Sequence, residues 1–132
     1  MYTNSGVTIY NKYYDFEKDV DVYQKTEVYG VFWNSKEGYI KHTTNNSSDD
    51  KATMYVPLAY SASRDYIESI DFDDVNDKEL HFTMKPGDLV IEGLNHPDIV
   101  KPRELIDFFT ITSVDFKNFG SPRMRHWVVN LK

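Results

Sequence analysis

The amino-acid sequence predicts a mostly β protein, a small antiparallel β-barrel or sandwich with one short helix near residues 102–108. Two observations support this prediction. Residues 109–132 form an alternating segment, a turn around Gly120 and Pro122, and a second alternating segment, which is the pattern of a β-hairpin. Other short alternating segments, separated by turn residues, occur along the chain without a repeat or a linker. Residues 1–132 are therefore expected to form a single domain that this hairpin closes.

The C-terminal hairpin is rich in β-branched and aromatic side chains, which fit a pleated, half-buried surface. A strict period of two divides each strand into two faces. In the first strand, one face would carry Phe109, Ile111, Ser113, Asp115 and Lys117, opposite Thr110, Thr112, Val114 and Phe116. In the second strand, one face would carry Arg125, Trp127, Val129 and Leu131, opposite Met124, His126, Val128 and Asn130.

The first half of the chain is predicted to supply a strand at residues 6–14 and then a second strand pair that runs through Tyr23 and residues 28–33. Gly30 interrupts the second pattern, which indicates a bulge or a tight bend. We therefore expect strong curvature there, as in a small barrel. Shorter strands are expected at residues 39–42 and 52–58.

The middle of the chain gives a weaker signal. Residues 61–78 are strongly acidic, and within them residues 63–70 fit either a short helical turn or a strand. Residues 79–84 alternate as a strand, and residues 85–88 contain Pro and Gly at adjacent positions that favour a turn. Residues 89–93 are predicted to return as the hairpin partner of that strand.

The predicted helix near residues 102–108 begins with proline. Pro102 fits the first turn of a helix, where its missing N–H costs nothing. The helix must be short, because the strand pattern has already begun at Phe109.

Composition limits the classes of function. The chain contains no cysteine, which excludes disulfides and thiolate metal sites and fits a reducing cytosol. It shows neither a signal-peptide pattern nor the ~20 consecutive apolar residues of a membrane span, so no membrane partner is expected. The formal charge of −6 argues against a general duplex-binding surface, which needs clustered Lys and Arg.

The sequence predicts no catalytic residue, no cofactor and no metal site. The four histidines are scattered, without the close spacing of metal ligands: His42, His81, His96 and His126. The acidic residues from Asp71 onward match the Ca²⁺-loop pattern poorly, since the glycine at the sixth position is missing. Neither a nucleophile elbow nor a glycine-rich phosphate loop is present, although carboxylates could still be paired by the fold.

One basic and aromatic cluster lies beside the last turn, and its members are the candidate interface residues Arg123, Arg125, His126 and Trp127. Arg and Trp are enriched at protein interfaces, so the cluster is a candidate anchor between subunits. The alternative is a hairpin end with Trp127 in the core and two exposed arginines. Either way, Trp127 is expected to be largely buried.

Five segments of the chain resemble one family: residues 7–12, 29–33, 85–93, 109–112 and 120–127. The run Gly-Ser-Pro-Arg-Met-Arg-His-Trp in the last segment is the most specific of them. The family comprises small proteins of tailed phages and prophages of Gram-positive, clostridial-type bacteria, often filed as minor capsid or head–tail connector proteins. It is similar to the head-closure, or stopper, components of the phage neck.

This resemblance implies a β-barrel-like, non-catalytic virion protein, made in the bacterial cytoplasm and located at the head–tail junction. It would form a ring of its own copies, a hexamer or dodecamer, between portal or adaptor and tail proteins. Double-stranded DNA would pass through the ring without sequence-specific binding. The alternatives are a tail-terminator or tail-completion protein, or a β-barrel module that binds carbohydrate or oligonucleotide through a row of exposed aromatic residues.

Residues 43–51 carry no apolar side chain beyond the threonine methyl groups, which predicts an exposed loop. In a ring, such a loop could reach the channel and obstruct DNA. The candidate channel or gating residues are Asn45, Asn46, Ser47, Ser48, Asp49 and Asp50. The alternative is a solvated hairpin tip without a role.

Overall fold

The computed structural model describes residues 5–35, 52–57, 60–94, 96–105, 108–117, 120 and 124–132. Strands account for most of this part of the chain, and helical structure is brief. The strands are β1 (Ser5–Asp15), β2 (Val20–Ser35), β3 (Ala52–Pro57), β4 (Ser61–Ala62), β5 (Asp65–Tyr66), β6 (His81–Phe82), β7 (Leu89–Glu92), β8 (Phe109–Lys117) and β9 (His126–Leu131). The helical elements are α1 (Ser69–Phe72) and two 3₁₀ turns, Lys78–Leu80 and Pro102–Glu104.

Six strands form a closed antiparallel barrel. Their order is β1-β7-β8-β9-β3-β2, and β2 pairs again with β1 to close the ring. Strand β4 adds to β2, while β5 and β6 form a separate parallel pair. The prediction of a mostly antiparallel β fold is therefore confirmed, and the closed strand order makes it a barrel.

A bulge at Gly30 lets the long strand β2 serve two parts of the barrel wall. Gly6 is opposite Tyr29 and Ser5 is opposite Val31, so Gly30 has no partner in the β1–β2 register. Its φ of 79° lies in the left-handed region, which glycine adopts without a Cβ clash. Beyond the bulge, β2 pairs with β3 from Phe32 onward. The bulge predicted at Gly30 is confirmed, whereas Tyr23 and residues 28–33 belong to the one strand β2 and not to a strand pair.

The barrel interior is filled by apolar side chains. In β9, Trp127, Val129 and Leu131 point inward, as the alternation predicts. Buried side chains of the other barrel strands and of the segment around β6 complete the core: Val7, Ile9, Val28, Val31, Ala52, Met54, Val56, Phe82, Met84, Val90 and Ile111. The barrel is thus a packed core and not a pore.

A second bulge changes the predicted faces of β8. Ile111 is opposite Leu131, but Ser113, not Thr112, is opposite Asn130. The extra residue moves Val114 into contact with the core. The strict alternation predicted for this strand is therefore wrong beyond Ile111, since one inserted residue exchanges the two faces of all that follow.

The segment at residues 96–105 covers the outside of the barrel. Tyr10 points outward from β1 and packs with Leu89, Ile99 and Leu105 in a second apolar cluster. The helix predicted near residues 102–108 proves to be the single 3₁₀ turn Pro102–Glu104. The turn ends because the backbone of Leu105 is extended (φ −94°, ψ 138°). In this conformation the Leu105 side chain is buried in the second apolar cluster.

The hairpin predicted from residues 79–84 and 89–93 is wrong. Strand β6 is limited to His81–Phe82 and pairs in parallel with β5. Strand β7 pairs with β1 and β8, so it is part of the barrel wall. The residues between them are held by side-chain hydrogen bonds to β1.

The β1–β2 hairpin extends past the end of the barrel, because β1 pairs with β7 only as far as Tyr10 whereas its pairing with β2 continues to Asp15. We call residues 12–23 the arm. Residues 67–80 lie beneath it and contain α1; we call them the cap segment. Phe72 of α1 is fully buried, and its ring meets the Tyr13 ring edge-on with the two ring centroids 5.8 Å apart. The cap segment therefore packs against the inner face of the arm.

Candidate functional site

An open groove of about 630 Å³ lies beside the arm. Tyr14 and Phe16 of the arm form one wall, and Asp73 and Asp74 of the cap segment line it as well. Residues 85–88, which lead into β7, complete the lining. The groove thus joins three parts of the fold that are distant in sequence.

A buried carboxylate lies at the base of the groove. Asp88 has no solvent exposure and accepts hydrogen bonds from Asn11 Nδ2 (2.7 Å), the Lys12 backbone N–H (3.0 Å) and Lys85 Nζ (2.5 Å). Burial raises the pKa of Asp88 above its ordinary value, although the Lys85 charge and these hydrogen bonds act in the opposite direction. The donors occupy both carboxylate oxygens, which makes Asp88 a structural group.

Asn11 extends this network into the core. Its Nδ2 donates to the Thr83 carbonyl at 2.6 Å, and its Oδ1 accepts from the Thr83 N–H at 3.1 Å. The side-chain amide therefore replaces a strand partner for the Thr83 backbone. These bonds fix the backbone at Thr83 to β1, so this part of the chain does not form the predicted hairpin with β7.

The three lysines of the groove are engaged. Lys85 binds Asp88 and also donates to the Lys12 carbonyl at 2.7 Å. Lys12 Nζ lies 3.8 Å from the Asp21 carboxylate. Lys78 Nζ donates to two backbone carbonyls of the cap segment at 3.0 and 3.1 Å. Lys12 and Lys85 are thus paired with carboxylates, whereas Lys78 is held by neutral carbonyls and keeps its positive charge in the groove.

Two carboxylates of the groove remain without such partners. Asp73 and Asp74 are exposed, and neither forms a salt bridge with another residue in the described part of the chain. The lining holds three lysines and four aspartates, so its net formal charge is −1, with the excess carboxylate at Asp73 and Asp74. A ligand with positive charge would complement it.

The arm adds an aromatic surface. Phe16 is 87% exposed and Tyr14 is 41% exposed, and their rings meet edge-on with centroids 4.8 Å apart. Large apolar side chains with this exposure are candidates for contact with another molecule.

The structure separates the four predicted interface residues. Trp127 is only 8% exposed and lies inside the barrel, which confirms that it is buried. Arg125 and His126 are half-buried, and His126 Nδ1 lies 2.8 Å from the Met124 carbonyl. Arg123 lies outside the described residues. Participation of these residues in an interface stays a prediction.

Trp127 is the centre of an aromatic cluster. Its ring centroid lies 4.8 Å from that of Tyr66, 4.9 Å from Phe116 and 6.0 Å from Tyr60. Burial, with a smaller contribution from the nearby Glu68 charge, raises the pKa of Tyr66 to about 12. The phenol is therefore neutral at physiological pH, and the cluster is an apolar part of the core.

The candidate gating residues 45–50 also lie outside the described residues. Within the described part of the chain, the structure brings together no group of three metal-binding side chains of the His, Cys, Asp or Glu type. Likewise, none of the described helices is long and apolar enough to cross a bilayer.

Sequence reasoning missed the groove and the buried network beneath it. One signal was present: Asn11 continues the inward face of Val7 and Ile9, so it is a polar residue in an apolar alternation. Such a residue needs a buried partner. The identity of that partner, Asp88, depends on a contact across 77 positions and has no local signature.

A comparison with protein families places the chain in one of them. Residues 2–132 match a family of unknown function, DUF6751, and the chain belongs to this family. Searches of curated proteins and of solved structures found no match.

Proposed function

We propose that this protein is a structural subunit of the neck of a tailed phage, a head-closure or stopper component. In this proposal it forms a ring between portal or adaptor and tail proteins and catalyses no reaction. It is made in the bacterial cytoplasm and acts in the virion. The proposal combines the resemblance described above with the surface of a closed barrel.

The observation that carries this proposal is the distribution of exposed apolar side chains. Phe16 at the arm tip is 87% exposed, Ile70 in α1 is 79% exposed and Val100 in the outer segment is 71% exposed. They belong to three different elements of the fold. A ring subunit needs contacts on several sides, since it meets two neighbours through heterologous surfaces and other proteins above and below.

The filled barrel determines where DNA would pass. Val7, Ile9 and Val129 are among the fully buried side chains of the interior, so the barrel has no room for a duplex. In a ring, the channel would therefore lie between subunits. With a formal charge of −6, the protein would repel phosphates on average, which suits passage of DNA without retention.

The dispersal of exposed aromatic residues favours this proposal over a carbohydrate- or oligonucleotide-binding barrel. Such a module stacks its ligand on neighbouring exposed rings. Among the exposed aromatics of the described residues, Tyr14 and Phe16 are the one pair in ring contact. Tyr29, Phe108 and Phe116 are exposed on other strands or segments.

The proposal predicts a defect in particle assembly. Deleting the gene from the element that encodes it, followed by induction, should give heads that lose DNA and tails that remain unattached. Expression of the chain from a plasmid should restore complete particles. Electron microscopy and protection of packaged DNA from nuclease measure both effects.

Two results would contradict this role. One is the formation of normal, DNA-retaining particles by the deletion strain; the other is induction that yields no phage-like particle even with the gene intact. Filled heads together with tails of abnormal length would instead assign the chain to the tail-terminator alternative.

A further inference from the structure

We propose that the groove binds an extended, lysine- or arginine-rich segment of a partner protein, which adds as a strand to the edge of β1. This inference goes beyond the proposed function, because it depends on the groove and not on formation of a ring. Three observations support it: the direction of the β1 backbone, the charge of the groove and its aromatic wall.

The edge of β1 continues past the end of its pairing with β7. Tyr10 is opposite Leu89, the last pair of that ladder. Two residues further on, the Lys12 N–H donates to the Asp88 carboxylate and the Lys12 carbonyl accepts from Lys85 Nζ. The Asp88 and Lys85 side chains therefore satisfy the Lys12 backbone groups that a strand partner would otherwise bind. The β1–β7 ladder ends at this point.

Tyr14 is the next residue whose backbone faces this edge. Backbone groups of an antiparallel strand point to alternate sides, so Tyr14 directs its N–H and C=O to the same side as Lys12, away from β2. Tyr14 also lines the groove. An extended peptide in the groove would lie beside these groups, which is the geometry of strand addition.

The net formal charge of the groove lining, −1 from three lysines and four aspartates, favours a basic partner. Asp73 and Asp74 line the groove without salt bridges to other described residues, whereas Lys12 and Lys85 are paired with Asp21 and Asp88. A second copy of the chain, with a formal charge of −6, complements this surface poorly. A segment with Lys or Arg at alternate positions would place its cations on one face, toward the carboxylates.

The aromatic wall suits the same ligand. Phe16 and Tyr14 expose their rings beside the groove. The aliphatic stems of Lys and Arg pack on such rings while their charged ends reach a carboxylate. The groove thus offers backbone groups, rings and negative charge to one extended segment.

The experiment uses the full-length protein and a short capped peptide of alternating Lys and Val. Titration followed by amide NMR should show saturable shifts at Tyr14 and Asp15, with slower hydrogen exchange of the Tyr14 N–H. A matched peptide of alternating Glu and Val should cause no such shifts. Added salt should weaken binding of the Lys peptide.

Matched variants separate the backbone from the side chains. Tyr14→Pro removes the N–H that faces the groove, at an edge position where proline is tolerated, and should weaken binding about fivefold to tenfold more than Tyr14→Ala does. Asp73→Asn combined with Asp74→Asn should also weaken binding. Asp98→Asn, an exposed carboxylate outside the groove, should leave it unchanged. Unchanged amide spectra of the barrel core verify the fold of each variant.

Several outcomes would overturn the inference. These are absence of shifts at Tyr14 with the Lys peptide, equal binding of the Lys and Glu peptides, or equal affinity of Tyr14→Pro and Tyr14→Ala. Protection of the Tyr14 N–H that grows with protein concentration alone would identify a second copy as the occupant instead.

Discussion

Replacing Trp127 with alanine is expected to lower the free energy of unfolding by about 3–5 kcal/mol, the usual cost of deleting a large buried aromatic side chain. The indole is 8% exposed and contacts the rings of Tyr60, Tyr66 and Phe116. Urea denaturation followed by circular dichroism measures the loss.

Val128→Ala is the matched control for this substitution. Val128 is the next residue of β9 and lies on the opposite face of the strand, half-buried. Its truncation should cost about 1 kcal/mol or less. A Trp127→Ala protein as stable as the Val128→Ala protein would show that Trp127 is not a core residue.

The second large effect is expected for Asp88→Ala, which should lower the free energy of unfolding by about 2–5 kcal/mol. The substitution leaves one buried donor and one partly buried donor without an acceptor, and an unsatisfied buried donor costs roughly 1–3 kcal/mol. These donors are the Asn11 Nδ2 group and the Lys12 N–H. Lys85 is partly exposed and can turn to water, so its loss of a partner adds less. Asp88→Asn keeps one acceptor oxygen and should be destabilised less than Asp88→Ala.

The raised pKa of Asp88 gives this contribution a pH dependence. The folded state holds the proton more tightly than the unfolded chain does, so protonation favours folding. The contribution is fully present at pH below the ordinary Asp pKa and decreases as pH rises through the folded-state pKa. The difference in stability between the wild type and Asp88→Ala should therefore be larger in acid than at neutral pH. A difference that grows from acid to neutral pH would contradict the assigned direction.

The C-terminal hairpin could be predicted from sequence because its signals are local. The inward face of β9, with Trp127, Val129 and Leu131, follows from a period of two. Gly30 likewise indicates its bulge directly, since a glycine inside a strand pattern is typical of bulges and tight bends. In β9 and at Gly30, therefore, the prediction agrees with the structure.

The errors have a different physical origin. The bulge in β8 lies at Thr112, an ordinary strand residue, so no local signal distinguishes it from a regular position. The register of β8 against β9 places Val114 rather than Ser113 against the core. This choice depends on contacts in the assembled core, which the local sequence does not show. The 3₁₀ turn Pro102–Glu104 is shorter than the predicted helix for the same reason, because burial of Leu105 requires an extended backbone there.

The groove could not be predicted because it forms between segments that are distant in sequence. The arm extends beyond the barrel because the pairing of β1 with β7 ends at Tyr10. The buried network under the groove joins Asn11 to Asp88, 77 positions apart. The sequence indicated the acidity of residues 61–78 but not the contacts that the lysines of the groove make. The candidate interface at Arg125 and His126 stays a prediction, with Trp127 itself in the core.

The central claim, that this protein is a ring-forming subunit, is tested most directly by the size and shape of the purified full-length protein. Native mass spectrometry across a range of concentrations, with electron microscopy of the same samples, measures both. The account predicts closed annular particles of one defined stoichiometry, a hexamer or dodecamer, at high concentration or in the presence of the adjoining neck proteins. A protein that remains monomeric under all of these conditions would contradict it.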